Sequence, residues 1–365
     1  MNGPASRAHL SRRLALSPAS LTRITRLLVV NGILTETGVA PADRPGRPSM
    51  PMDVMVDAAH LIGVNLTATA LHLVRTDLRA RIIEQRDIEL SDTSPESVAD
   101  TIGRAVEEQR AQDLSLLAIG ISLAGPVSPA SRIVRTSPFL GWADVPLVQM
   151  VKNRTDLPTF VENDVRALTA AEHWFGAAAG CSDFVLVTIG SGVGCGMVID
   201  HRLVEGVVGG SGQVGHLPIT ASGPLCERGH RGCVRSYLAS SSIISQVSIG
   251  TGRTNLRYDD VLDLSVSGEP VARRVVTDAA TALGQLIGTL AAVSSPQKVL
   301  ISGEGVRLAD LMLDLIREEA ARAQHWTLEP VDIEISPFTF TEWARGAAVM
   351  ALRRQWEPGA RLNDD

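Results

Sequence analysis

Residues 209–237 read GGSGQVGHLPITASGPLCERGHRGCVRSY. The stretch gathers glycines, a histidine (His216) and two cysteines (Cys226 and Cys233). No 3.6-residue or two-residue apolar period runs through it, so it reads as a loop. That density of Gly, His and Cys predicts a loop that binds something. Immediately before it, DFVLVTIGSGVGCGMVIDHRLVEG (residues 183–206) reads as strand, glycine turn and strand. Further upstream stands a Glu-Asn-Asp triplet at 162–164.

Outward from this stretch, hairpins alternate with helices. LIGVNLTATALHLVRTDL (61–78) predicts two strands around a turn, and RARIIEQRDIEL (79–90) a third. SPESVADTIGRAVEEQRAQ (94–112) is an amphipathic helix capped by Ser94, and LSLLAIGISLAG (114–125) a buried strand. PLVQMVKNRTDL is a helix, PTFVENDV a strand running into the helix RALTAAEHWFGAA. After the glycine hairpin come the long helix ARRVVTDAATALGQLIGTLAAV, the strand KVLISG, the helix DLMLDLIREEAARA, the strand VDIEISP and the helix ARGAAVMALRRQW. The layout occurs twice, which predicts an α/β fold of two lobes with a cleft between them.

Size and composition fit this. The 365 residues are enough for two or three domains, and 45 % apolar content supports full cores. No apolar run approaches the ~20 residues of a membrane span, and the N-terminus lacks a signal-peptide pattern. Four unevenly spaced cysteines argue against a disulfide framework. These features predict a cytoplasmic protein with no membrane partner.

Charge is unevenly placed. The chain carries a net −6, yet its first 48 residues hold seven arginines against only Glu36 and Asp43. A basic head on an acidic body suggests a nucleic-acid module, with a solvated basic tail as the alternative. SRAHLSRRL (6–14) reads as a short helix, with Leu10 and Leu14 on one face. A second helix opens at Ser17 (N-cap) and Pro18 (N1) and stops at Asn31-Gly32, with Leu21, Ile24, Leu27 and Leu28 as its expected buried face. Ser17, Ala19, Ser20, Thr22, Arg23 and Arg26 would then face outward. Small and hydroxyl residues at that end suit entry into a major groove, and Arg23 can reach a guanine edge or a phosphate. The strand ILTETG and a Pro/Gly/Arg loop complete a winged helix-turn-helix, with Arg47 placed for a minor groove. A plain helical hairpin is the other reading. Only Met1 to Ala5 precede the first helix, so the module is expected to lack its leading helix.

The ordered run IGVNLT, GISLAGPV, SPFLGW, VENDVRAL, TIGSGVGCGMVIDHRLVEG, GQVGH, Cys-x-x-Gly-x-x-Gly-Cys, VLISG and ARGAAVMAL resembles the ROK family of bacterial repressors and sugar kinases. The resemblance spans residues 61 to about 352, behind the helix-turn-helix of the repressor branch. It implies an actin- or hexokinase-like body, a sugar pocket in the cleft, and a homodimer or homotetramer. The implied domains are 1–55 (winged helix-turn-helix), 56–175 (first lobe) and 176–365 (second lobe with the cysteine loop).

Against the family pattern, the residues divide into retained and altered. Family kinases begin with Asp-x-Gly-Gly-Thr-Lys, a turn that holds ATP phosphates; here it is Asn65-Leu66-Thr67-Ala68-Thr69-Ala70. Without those glycines the backbone cannot approach phosphates closely. The second phosphate turn survives as Gly190, Ser191, Gly192 and Gly194. Asn163 and Asp164 match the sugar-pocket pair. In a kinase Asp164 would be the general base; in a sensor it accepts a sugar hydroxyl hydrogen bond. The family's zinc takes a histidine and three cysteines. His216, Cys226 and Cys233 remain, but Arg228 replaces the middle cysteine, and neither Glu227 nor His230 is expected at the right spot. Zinc is therefore expected to lack a full ligand set, with two reduced cysteines packed in a metal-free loop as the alternative. Gln213 and Arg235 stand where the family has two sugar-binding carboxylates, which suggests a more anionic ligand. The expected effector residues are Asn163, Asp164, Gln213, His216 and Arg235.

The resulting expectation is a transcriptional regulator, a repressor of carbohydrate uptake or catabolism genes, with operator DNA and a sugar-like effector as partners. No catalytic residues are expected. The alternative is an ATP-dependent carbohydrate kinase using Asp164 as base.

Overall fold

The structure, a computed structural model, describes residues 3–38, 50–112, 115–206, 209 and 212–356. At the N-terminus, α1 (Arg7–Arg13) and α2 (Pro18–Val30) are followed by strands β1 (Leu34–Glu36) and β2 (Met52–Val54), which pair antiparallel. Ser6 and Ser17 cap the two helices, accepting the His9 and Ser20 amides, and Gly32 ends α2 with φ +70°. Arg7 ties the unit together, donating to Glu36 at 2.6 Å and to the Thr25 hydroxyl at 3.2 Å.

The buried side of α2 differs from the expected one. Leu21 and Thr25 are buried, whereas Ile24 and Leu27 are exposed, Leu27 by 60 %. Thr25 can take a core position because its hydroxyl bonds back to the Leu21 carbonyl at 2.9 Å. Leu14, expected to share a face with Leu10, is exposed as well.

The body holds two five-stranded mixed sheets of matching pattern. The first comprises β3 (His60–Leu66), β4 (Ala70–Thr76), β5 (Ile82–Glu89), β6 (Leu116–Leu123) and β9 (Thr159–Asn163), ordered β5-β4-β3-β6-β9. Helix α3 (Pro95–Arg110) precedes β6, and between β6 and β9 lie the hairpin β7 (Val134–Ser137) with β8 (Trp142–Val145) and helix α4 (Leu147–Thr155). After α5 (Asp164–Phe175) comes the second sheet: β10 (Phe184–Ile189), β11 (Val193–Ile199), β12 (Arg202–Leu203), β13 (Lys298–Ser302) and β14 (Asp332–Ile335), ordered β12-β11-β10-β13-β14. In each sheet an antiparallel meander leads into two parallel strands. Helices α6 (Val234–Leu238), α7 (Ser240–Thr251), α8 (Tyr258–Val266), α9 (Pro270–Ser294) and α10 (Val306–Ala323) follow β12, and α11 (Phe340–Trp356) follows β14.

Two helices fill the space between the sheets. Helix α11 lies on the first sheet, where a Cβ at Gly63 or Gly120 would fall 2.0 or 1.9 Å from the Ala344 or Ala347 carbonyl oxygen. Helix α5 lies on the second sheet, where a Cβ at Gly196 would fall 1.8 Å from the Thr169 hydroxyl. The two helices meet at Gly346, beside the Ala167 backbone. The range 176–365, expected to form the second lobe, thus returns its final helix to the first sheet, because only a glycine-bared sheet face admits a helix backbone that closely. Val165, Leu168, Phe184, Leu186, Val349 and Met350 form the apolar core of this middle layer. Helix α9 is long and apolar enough to cross a membrane by length and composition, but most of it is buried inside the protein.

Candidate functional site: the interlobe cleft and the cysteine loop

Helix α5 begins where β9 ends, and this junction carries the Glu-Asn-Asp triplet. Asn163 is the N-cap, its Oδ1 accepting the Arg166 amide at 3.2 Å. Its Nδ2 donates to the Gly125 carbonyl at 3.2 Å and to Asp164 Oδ1 at 3.1 Å. The Asn163 amide is therefore engaged in holding the junction. Gly125, with φ +126°, allows the approach; a Cβ there would sit 1.9 Å from the Thr136 carbonyl oxygen.

Glu162 turns the other way. It is 6 % exposed and bonds Arg166, itself 2 % exposed, at 2.9 and 3.2 Å. Arg354 from α11 lies 3.7 Å from Glu162 and 2.6 Å from Glu205, and Arg166 also donates to the Val204 carbonyl at 2.8 Å. This buried set of charges joins β9, α5, α11 and the segment after β12.

Asp164 is half-buried and accepts the Val165 amide at 2.8 Å. Burial above all, helped by the nearby Glu304 charge, pushes its carboxyl from 3.8 up to about 6, despite the hydrogen bonds that oppose the rise. The native state therefore binds more protons than the unfolded chain between pH 3.8 and about 6, and stability falls as pH rises through that window. Asp164→Asn is expected to remove this slope and to stabilise the protein at pH 7 by about 1–2 kcal/mol, allowing for partial solvent access. Urea unfolding at pH 4 and pH 7 checks it; the account of Asp164 fails if the variant and the wild type differ equally at both.

The hairpin β10–β11 brings Gly190, Ser191, Gly192 and Gly194 beside this junction, and a Cβ at Gly194 would press on Val165 at 2.7 Å. The Asn65–Ala70 turn closes on itself. Thr67 Oγ1 accepts the Ala70 amide and donates to the Ala70 carbonyl, both at 3.0 Å. Asn65 is buried and donates to Ser122 Oγ at 3.0 Å.

Past β11, Cys195 N–H donates to the Gly212 carbonyl at 2.9 Å, which sets a short helical turn, Val214–His216, against the hairpin. Gln213 is exposed at the start of that turn. Arg235, on α6, forms an ion pair with Glu227. The charge reversal expected from Arg235 is thus balanced within the same loop, which weakens the case for an anionic ligand.

The loop corrects the sequence reading at one point. His216, Cys226, His230 and Cys233 converge, with one ligand atom from each all within 4.8 Å of one another. The Nδ1 atoms of His216 and His230 are 3.0 Å apart, and Cys226 Sγ and Cys233 Sγ lie 3.8 and 3.9 Å from His216 Nδ1. A tetrahedral zinc with its usual bond lengths would set N–N edges of about 3.3 Å and S–N edges of about 3.6 Å. The donors present fit that ion. His230, not expected to reach the cage, does so because Cys226–His230 is a tight turn: Gly229 has φ +80° and Cys226 N–H donates to the His230 carbonyl at 2.9 Å. Arg228 points to solvent. Burial and the neighbouring His230 lower the His216 pKa, so its ring favours the neutral form that ligates metals.

At the N-terminal unit, Pro18, Ala19, Thr22, Arg23, Arg26, Leu27 and Val30 line one shallow depression along α2. Ser17 and Ser20 lie at its end, their hydroxyls bonded to each other at 3.0 Å. Among the described residues neither Arg23 nor Arg26 forms an ion pair. Arg47 lies outside the described residues.

A family model described as the ROK family matches residues 61–354. A putative xylose repressor of Caldicellulosiruptor sp. (strain Rt8B.4) is 28 % identical over 365 aligned residues, covering 95 % of this chain and 91 % of that protein. The crystal structure of a ROK family transcriptional regulator, described as a homolog of the E. coli Mlc protein, aligns with TM-score 0.82 and 27 % identity over 96 % of this chain and 93 % of its own. A ROK hexokinase from Thermus thermophilus aligns with TM-score 0.73 and 25 % identity over 81 % of this chain and 99 % of its own.

Proposed function

The chain belongs to the ROK family, and from that premise we propose that it is a DNA-binding transcriptional regulator, a repressor of sugar uptake or catabolism genes that responds to a sugar-like effector. The observation that carries this reading is the outward face of α2, where Arg23 and Arg26 stand beside Ala19 and Thr22 at the capped end of the helix. Small residues at a helix start, followed by arginines that form no ion pair among the described residues, suit insertion into a major groove. The relatives named as regulators span nearly the whole chain, whereas the hexokinase leaves out a portion the size of the N-terminal unit. In this reading α1–α2 with β1–β2 is a winged helix-turn-helix.

Arg23→Ala is expected to lower affinity for the preferred duplex by about 1–3 kcal/mol and to relax preference at one base pair. Arg26→Ala should weaken all duplexes alike and reduce the salt slope by about one. Fluorescence anisotropy across a salt series separates the two effects; wild-type behaviour in both variants would remove α2 from the interface.

The effector binds at the β9–α5 junction beside the β10–β11 turn, where Asp164 accepts a sugar hydroxyl hydrogen bond and Asn163 holds the junction in place. With Arg235 paired to Glu227, a neutral sugar fits the cleft better than an anionic one. His216, Cys226, His230 and Cys233 would hold zinc as a structural cofactor. When bound it would cross-link the loop that carries Gln213 and Arg235, and it takes no part in chemistry. As a symmetric dimer in the cytoplasm, the protein would bind two half-sites, and effector closure of the lobes would alter the spacing of the two heads.

The kinase alternative loses support at the first phosphate turn. Its glycines and lysine are absent, and Thr67 satisfies the turn's own polar groups. A coupled assay with ATP over a sugar panel is expected to show no turnover.

A further inference from the structure

The turn between β10 and β11 is built as an anion cradle. The Ser191 amide and hydroxyl point the same way, and both donate to one atom, Glu304 Oε2, at 3.1 and 2.7 Å. On the far flank, the Arg235 guanidinium lies against Gly192, its Nη1 3.3 Å from where a Cβ would stand. Two convergent donors on a backbone bare of side chains form an anion-binding concavity, while the Arg235 charge beside it is already paired with Glu227. The anion comes from the chain itself, 113 residues away.

The segment that delivers it is firmly seated. Gly303 has φ +103°, and a Cβ there would lie 2.4 Å from the Ile189 carbonyl oxygen. Gly305 N–H donates to that same oxygen at 2.8 Å, and the buried side of the segment is fastened by Tyr258, whose hydroxyl donates to the Gly305 carbonyl at 3.0 Å. A glycine on each side of Glu304 lets the segment press on the end of β10 and lay the carboxylate across the turn. Gly190 is part of the same contact; a Cβ there would meet Glu304 Oε2 at 3.0 Å.

We propose that Glu304 is a resident anion occupying a phosphate-class site on the Gly190–Gly192 turn, and that this site accepts inorganic phosphate only when the carboxylate is removed. A phosphate brought to the occupied turn meets a like charge and finds the Ser191 donors already used. Glu304 also fastens the β10–β11 turn to the β13–α10 segment.

The test uses the full chain and inorganic phosphate alone, read by phosphorus NMR line broadening. Glu304→Ala is expected to bind phosphate at least about tenfold more tightly than the wild type, and adding Ser191→Ala is expected to abolish the gain. Glu304→Gln removes the charge but keeps an acceptor, so a smaller gain is expected; it also carries the test if the alanine variant does not fold. The proposal is overturned if the wild type binds phosphate as tightly as both variants, if neither variant gains, or if the gain survives Ser191→Ala.

Discussion

Arg166→Met is expected to destabilise the protein by about 3–5 kcal/mol, because it leaves a buried carboxylate without its main partner. Glu162 is 6 % exposed and takes two hydrogen bonds from Arg166. Arg354 stands 3.7 Å from it and already pairs with Glu205, so it cannot replace both bonds. Methionine keeps much of the arginine volume, so the loss is electrostatic more than steric. The double variant Glu162→Gln, Arg166→Met should recover part of the loss, since a neutral amide is cheaper to bury than an unpaired charge. Urea unfolding of the three variants measures this; a loss under about 1 kcal/mol for Arg166→Met would mean that the network does not hold the lobes together.

His230→Ala is expected to weaken zinc binding by more than about a hundredfold, since loss of even an outer-sphere partner costs 10–100-fold. The ring nitrogen removed is 3.0 Å from that of His216 and belongs to the four-donor cage. Because structural zinc contributes directly to folding free energy, the melting temperature should drop as well, and a chelator should shift the wild type but not the variant. Metal content of the purified chains, with thermal melts with and without chelator, checks both parts. If His230→Ala retains a full complement of zinc, the ion sits elsewhere or His230 is a bystander.

The two lobes were legible because each sheet begins with an apolar hairpin and continues through strand–helix alternation. Thus 61–78 reads as β3 and β4, and 183–199 as β10 and β11, without reference to distant residues. Helix α7 is not legible in the sequence, for its serine-rich segment has little apolar periodicity, and α6 and α8 are too short to show a clear period. The buried side of α2 is not the one its apolar pattern predicts, because Thr25 bonds to its own helix backbone and so packs as a core residue would. Ile24 and Leu27, the stronger apolar signals, face outward.

In the site, residues that act within one segment were visible and those joined across the chain were not. Asn163 and Asp164 were found at a strand end, and His216, Cys226 and Cys233 in one loop. The sequence does not place His230 in the cage, because linear spacing does not show where a turn with Gly229 at positive φ aims its next side chain. Glu304 reaches Ser191, and Arg354 reaches Glu162, only after folding; no local pattern marks either. Arg235 stands where the family has a sugar-binding carboxylate, and its pairing with Glu227 eight residues back in the same loop alters the charge balance that its position implies.

The most direct test is selection of bound duplexes from a random pool, followed by titration of the selected duplex with the protein in the presence of each member of a sugar panel. The proposed function predicts a two-fold symmetric preferred sequence and at least one neutral sugar that shifts its affinity about tenfold or more, with Asp164→Asn insensitive to that sugar. No enriched sequence, together with ATP-dependent phosphorylation of a sugar by the same preparation, would contradict it.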